Sequence, residues 1–434
     1  MSLTQPTDRS SLTLPQRIWA NRFSLLAGFC LCVGLPVGLY WNQGLWRNLG
    51  GDKPLQESVT DKSAKEAKSD KSLEELLAAC KSEDEKLRIE ALLELGQHPE
   101  YLPKSLEGIY PSLMQPNEVV RFAAENAVRA LGKNMIPDLQ PLLVAEDPKK
   151  YYEGCVYLTI LGLEGREYIP RLVEKLDSES LADRMSTLFA LDAMGKEAAP
   201  AYDKLVKLLD VPDSQFNIQV RVCHIFRNLG EIAKPAIPRL MKLADEGVPS
   251  ARTAAYVTLG MLGPSTDHDI VGLLTKRLDT FYLLDKERAL IGLGYLGSNA
   301  KPALEKIEGL MRDPEKSCQA EAAYAYWKIT GESEKPLRTL EQCLDSYDFR
   351  MTAVERAGDM GAVSVSLLPK MLKFLDEPDE TAVHEAVILA CERMGPAAKG
   401  AIPRLQTVLA NEQDYQLRET ARKALEAIQP KPEK

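Results

Sequence analysis

The sequence predicts an all-α chain organised as an α-solenoid of about eleven stacked helix pairs. Two observations carry the prediction. Glycines at 96, 132, 162, 195, 230, 263, 297, 331, 361 and 395 each close an apolar-periodic run, and the nine intervals between them average about 33 residues. A fixed period of this size marks a repeat architecture in which each unit buries its face against the next. Within one period two helical stripes alternate with polar breaks. In Ala236–Ala244 the apolar positions 237, 240, 241, 243 and 244 fall on one stripe.

Three segments precede the repeats. Residues 1–22 form an N-terminal tail holding Arg9, Arg17 and Arg22 against Asp8. Residues 23–41, FSLLAGFCLCVGLPVGLYW, contain no charge and are flanked by Trp19, Tyr40, Trp41 and Trp46. At ~1.5 Å per helical residue the run is long enough for a hydrocarbon core of ~30 Å. It exceeds the usual apolar length of a cleaved leader, so it reads as a transmembrane signal anchor. The three preceding arginines outweigh Arg47 and Lys53 after it. That charge bias places the N-terminus in the cytoplasm and the repeats outside, with cytoplasmic repeats as the alternative. Residues 42–71 are polar and lysine-, serine- and alanine-rich, the composition of a flexible charged linker.

The repeats occupy 72–434. Ile136-Pro137, Ile169-Pro170, Ile237-Pro238, Leu368-Pro369 and Ile402-Pro403 open first helices, where the missing proline N–H costs nothing. Second helices include VRFAAENAVRALG from Val120 and ARTAAYVTLGMLG from Ala251, the latter with Ser250 as its expected N-cap and Gly263 as its left-handed terminator. In the final second helix Arg418, Glu419, Arg422, Lys423 and Glu426 suit a terminal cap facing water.

These openings and second helices resemble HEAT repeats, especially the shorter bacterial HEAT-like repeats named after phycobilisome lyases. The resemblance covers 72–428 and implies the solenoid fold; it leaves function open among scaffolds, adaptors and a few enzymes. Eleven residues before the closing glycine stand Arg121, Arg184, Arg252 and Arg350, with Arg418 in the same register before Gln429. In HEAT-like families an arginine here bonds an acidic or carbonyl group across the turn, which implies a structural ladder. A basic stripe for an acidic ligand is the alternative.

Chemistry is sparse. The eight cysteines show no CxxC spacing and read as small buried hydrophobes. Gly292-Leu-Gly-Tyr-Leu-Gly297 matches a dinucleotide fingerprint, but it lies inside a helix instead of between strand and helix. Four histidines, only His384 preceding a glutamate, cannot supply the His-Glu sets of HEAT-like di-iron enzymes. No catalytic, cofactor or metal site is therefore expected. The net charge of −9 disfavours nucleic acid.

The expected function is a non-enzymatic, membrane-anchored scaffold or adaptor binding a protein or extended peptide. The alternative is an enzyme or chromophore-handling relative of the lyase-type repeats. One segment stands out as a contact site. Thr280-Phe-Tyr-Leu-Leu284 is apolar where other repeats place polar turns. Phe281 and Tyr282 either pack onto the preceding helix or form an exposed aromatic anchor.

Overall fold

The computed structural model describes residues 71–211, 217–313, 318–378, 380–412 and 415–429. The apolar stretch 23–41 and nearly all of the linker lie outside them. Among the described residues there are twenty-two α-helices, and no helix is long and apolar enough to cross a membrane. The chain divides into two compact units, Met1–Gly165 and Arg166–Lys434.

The first unit contains three helix pairs: α1 (Leu73–Ala79) with α2 (Glu85–Leu95), α3 (Leu106–Leu113) with α4 (Glu118–Leu131), and α5 (Ile136–Leu143) with α6 (Pro148–Leu161). Ser72 caps α1 in a reciprocal box with Glu75. Each second helix begins under a side-chain cap. Asp84 accepts from the Lys86 amide at 2.9 Å, Asn117 from Val119 and Val120 at 3.0 and 3.1 Å, and Asp147 from Lys149 at 2.9 Å. These bonds satisfy amides that have no partner within the helix.

The second unit continues the alternation. Its pairs are α7 (Ile169–Lys175) and α8 (Leu181–Ala193), α9 (Tyr202–Leu208) and α10 (Ile218–Leu229), α11 (Ile237–Glu246) and α12 (Pro249–Leu262), and α13 (Ile270–Arg277) and α14 (Leu283–Leu296). They continue with α15 (Leu304–Leu310) and α16 (Gln319–Thr330), α17 (Glu334–Leu344) and α18 (Arg350–Met360), α19 (Leu368–Met371) and α20 (Thr381–Met394), and α21 (Ile402–Asn411) and α22 (Tyr415–Ile428). Within this unit each second helix packs beside the next, so it is a helical solenoid in its own right.

Nine of the ten closing glycines adopt positive φ, from 49° at Gly132 to 86° at Gly263. Gly96 does not; its φ is −64°. Its lack of a side chain matters for packing instead, since a Cβ there would lie 2.8 Å from Ala127 Cα. The cap of α12 also differs from expectation. Val248 holds the N-cap position and Pro249 starts the helix, so Ser250 lies in the first turn.

Close approach explains the glycine-rich stretch in α14. A Cβ on Gly292 would sit 2.6 Å from Tyr256 O, and one on Gly260 only 2.3 Å from Gly292 O. A Cβ on Gly294 would meet Ala325 Cα of α16 at an ordinary 3.5 Å, and Gly297 ends the helix with φ 54°. Gly292 and Gly297 of the dinucleotide-like match thus serve helix packing and termination.

A periodic ion ladder links the first helices of the second unit. Asp177 pairs with Lys204 at 2.6 Å, Asp210 with Arg239, Asp245 with Arg277, and Asp279 with Lys306 at 2.5 Å. Glu308 then pairs with Lys335 at 3.0 Å, Asp345 with Lys370 at 2.6 Å, and Asp376 with Arg404. Each pair joins one first helix to the next. Several cations also donate to carbonyls of the preceding first helix: Lys204 to Val173 O at 2.8 Å, Arg239 to Val206 O at 3.3 Å, and Lys370 to Glu341 O at 2.8 Å. A cation placed there meets the negative end of the helix dipole. Along α22 Arg422 bridges Glu419 and Glu426.

Candidate interaction surface

The helix pair α13–α14 breaks the plan on both of its edges. Elsewhere in the second unit a closing glycine usually starts a 3₁₀ turn, as in Gly230–Ala236 and Gly297–Ala303. After Gly263 the chain instead runs through Pro264 in a loop to Asp269, which caps α13 by accepting from the Gly272 amide at 2.7 Å. Gly272 stands at the third position of its helix, where α7, α9, α11, α15, α19 and α21 carry lysine or arginine.

On the opposite edge, Phe281 is fully exposed and Tyr282 is 70% exposed. Neither is covered by α13. Tyr282 is the N-cap of α14 without a side-chain cap bond, and Leu283 and Leu284 belong to the first turn of α14, not to a turn between helices. Both leucines remain exposed at 38% and 37%. Four consecutive large apolar side chains therefore face water at one helix start. An exposed Phe-Tyr pair of this kind is the residue chemistry that anchors protein interfaces.

The five arginines of the repeated register do different things. Arg121 donates to its own turn, to Gln115 O at 2.9 Å and Pro116 O at 3.0 Å. Arg418 does the same to Glu412 O at 3.2 Å. Arg252 crosses to the next pair in a two-pronged contact with Asp285, Nε at 3.0 Å and Nη2 at 2.7 Å. Arg350 crosses to Glu377 at 2.7 Å and Glu380 at 3.4 Å, with its guanidinium over the Tyr347 and Phe374 rings. Arg184 is half-buried with its Nε unpartnered. Inter-repeat bridging in this slot thus belongs to Arg252 and Arg350. The register, counted back from the glycine, also misses Arg88, which stands fourth in its helix as Arg121 does and donates likewise to its own turn, to Ser82 O at 2.7 Å and Glu83 O at 3.1 Å.

The solvent-facing stripes of the second helices carry further charge. On α10, Arg221 pairs with buried Asp192 of α8 at 2.8 Å and lies 4.1 Å over the Phe189 ring. Asn228 donates to the other Asp192 oxygen at 2.9 Å. Burial nevertheless pushes the Asp192 carboxyl above the usual carboxylate range, against the pull of Arg221. Farther along, Arg356 of α18 reaches Glu321 of α16 at 3.7 Å and Asp359 at 2.8 Å, and Arg393 of α20 reaches Asp359 at 2.6 Å. Between these networks stand Arg227, Arg288 and Tyr295, which the repeat register does not single out. Their signal lay in helical spacing: Arg221, His224 and Arg227/Asn228 recur at three and four residues.

Among the described residues no group of three or more His, Cys, Asp or Glu side chains is gathered as a metal would need. The six described cysteines are buried, with no disulfide among them. Burial pushes the Cys223 thiol up to about 11 and the Cys391 thiol up to about 12, which suppresses thiolate chemistry.

Neither a family model nor a curated protein matches the sequence. Solved structures with a similar course include an engineered protein, at 20% identity over 82% of this chain and 98% of that one, with a TM-score of 0.37. The Kap95:Nup1 complex is similar at 14% identity over 81% of this chain and 56% of that one, with a TM-score of 0.47. The complex of CpcE and CpcF of phycocyanin lyase from Nostoc sp. PCC7120 is similar at 20% identity over 67% and 96%, with a TM-score of 0.31. The fold stated above rests on the helix pairs themselves: an all-α array of HEAT-like plan.

Proposed function

We propose that this chain is a non-enzymatic protein-interaction scaffold whose repeats present a docking edge at α13–α14. The observation that carries the reading is the water-facing Phe281–Tyr282 pair at a helix start, continued by exposed Leu283 and Leu284. Solvating large apolar side chains is unfavourable, and a partner that covers them recovers ~25 cal/mol per Å². The partner is a protein or an extended peptide. The apolar run 23–41 supports anchorage in a membrane. The arginine bias before it supports a cytoplasmic N-terminus with the repeats on the other side; repeats in the cytoplasm are the alternative, and protease accessibility in intact cells separates the two.

Replacing Phe281 by a photoreactive phenylalanine analogue in the full chain tests the docking edge in the native cell. The expected result is a discrete cross-linked protein that disappears on Tyr282→Ser. Cross-linking no stronger than from the exposed Lys301 contradicts it. Phe281→Ser with Tyr282→Ser should leave the melting temperature unchanged; a lowered melting temperature with retained partners assigns the pair to the fold.

A further inference from the structure

The docking edge at α13–α14 has a counterpart two repeats on. Tyr347 stands two residues before the Phe349 N-cap of α18 and is 68% exposed. It lies on the same edge as Phe281 and Tyr282, where a second helix starts. Its ring is held in place while it faces water. The hydroxyl donates to Glu380 Oε1 at 2.5 Å, and the Arg350 guanidinium lies 4.6 Å from the ring centroid. A side chain fixed in this way loses little freedom when a partner covers it. Between the two aromatic sites α16 begins, and its first residues, 318–321, are buried.

The charges beside the two sites differ in sign. Near Phe281 and Tyr282, Asp245 pairs with Arg277, Asp279 with Lys306, and Asp285 with Arg252. Lys286 is left over. Its amide donates to Tyr282 O at 3.2 Å, which places it one turn after the aromatic pair, and among the described residues it has no ion pair. Arg252 holds the same fourth position in α12 and finds Asp285 across the repeat, whereas Lys286 finds no such acid. Near Tyr347 the excess is acidic. Asp345 pairs with Lys370, while Glu377 and Glu380 share Arg350. Asp348 is exposed and has no ion pair among the described residues.

Packed neighbouring helices stand ~8–10 Å apart, which puts the starts of α14 and α18 ~16–20 Å from each other. An extended chain rising ~3.3 Å per residue covers that span in about five or six residues. We propose that the edge from α14 to α18 binds one extended peptide segment of a protein partner. The segment sets one apolar side chain on Phe281 and Tyr282 and another, about five or six residues along, on Tyr347. A carboxylate of the segment meets Lys286 at one end, and a basic side chain meets Asp348 at the other. The aromatic sites supply the apolar contact, and the opposite end charges fix the direction of the segment. This inference rests on the scaffold reading and extends its docking edge over two further repeats.

The test places a photoreactive phenylalanine analogue at position 281 or at position 347 of the full chain in its native cell. The partner residues that become attached are then mapped by mass spectrometry. The expected result is one partner, attached through two residues about five or six positions apart in one segment. Lys286→Glu should lower the yield at 347 at least fivefold, although it lies two helix pairs away. Asp348→Lys, at an exposed position of the other end, should lower the yield at 281 by a similar factor, and melting curves show that both variants remain folded. Attachment sites about eleven to thirteen positions apart, the span of a helix at ~1.5 Å per residue, overturn the extended segment. A yield at 347 indifferent to Lys286→Glu, or attachment there to another protein or to none, also overturns the proposal. In either case a discrete partner at 281 leaves the docking edge standing, whereas no discrete partner at 281 overturns both.

Discussion

The two units of the molecule are built on one period and stabilised in different ways. In the first unit each repeat is secured locally. Asp84, Asn117 and Asp147 cap the second helices, and Arg88 and Arg121 tie down the carbonyls of their own turns. In the second unit only Ser180 of the described second-helix starts supplies a side-chain cap, while Val248, Tyr282, Cys318, Phe349 and Glu380 supply none. What replaces the caps is coupling between neighbours: the first-helix ion ladder and the bridges of Arg252 and Arg350. The ladder positions show why the first unit lacks it. Gly108 and Asp138 stand where the cations would be, and Lys81, Gln115 and Ala145 stand where the acids would be. In a quasi-one-dimensional protein these are separate contributions, intrinsic repeat stability against nearest-neighbour interfaces. The glycine period alone does not distinguish them.

The sharpest contrast is between equivalent arginines. Arg252→Ala leaves the buried carboxylate of Asp285 uncompensated and should destabilise the second unit by about 3 kcal/mol. Arg121→Ala removes two bonds to carbonyls of its own turn and a 3.5 Å contact with exposed Glu118, and should cost about 1 kcal/mol. Chemical denaturation of the two variants checks this, and equal losses would break the distinction. Close helix approach gives the next largest effect. Gly260→Ala drives a Cβ into the Gly292 carbonyl in mid-helix and should cost about 2–3 kcal/mol. Gly96→Ala should cost less, because Gly96 sits at a C-cap where the chain can shift. Capping gives the smallest differences. Asn117→Ala should lose about 1 kcal/mol, whereas Val248→Asp, at an uncapped and exposed helix start, should gain about 0.5 kcal/mol in thermal melts.

The helix pairs were legible because their signals are local. Ile-Pro openings, apolar stripes and glycine terminators each act within one turn, and Ile136, Ile169, Ile237, Leu368 and Ile402 all begin helices as their prolines indicate. The ladder was not legible, although a basic residue follows Ile-Pro or its equivalent at 171, 204, 239, 306, 370 and 404. Its acidic partners lie one repeat back at varying offsets, so the pairing exists only once the first helices are stacked. The arginine register mixed two roles for the same reason: whether an arginine turns to its own carbonyls or to the next repeat depends on an acid such as Asp285 being placed there. Phe281 and Tyr282 stood out by composition, and exposure of both could be read only from the packed repeat.

The most direct test of the division into locally and mutually stabilised repeats is hydrogen exchange of the full chain, resolved to individual helices, at low and at high salt. Exposed ion pairs weaken as salt screens them. The first helices α9, α11, α15, α17, α19 and α21 should lose protection at high salt, while α3 and α5, whose ladder positions are empty of matching charges, should not. Equal salt sensitivity in α3 and α5, or none in the helices of the second unit, would contradict the account.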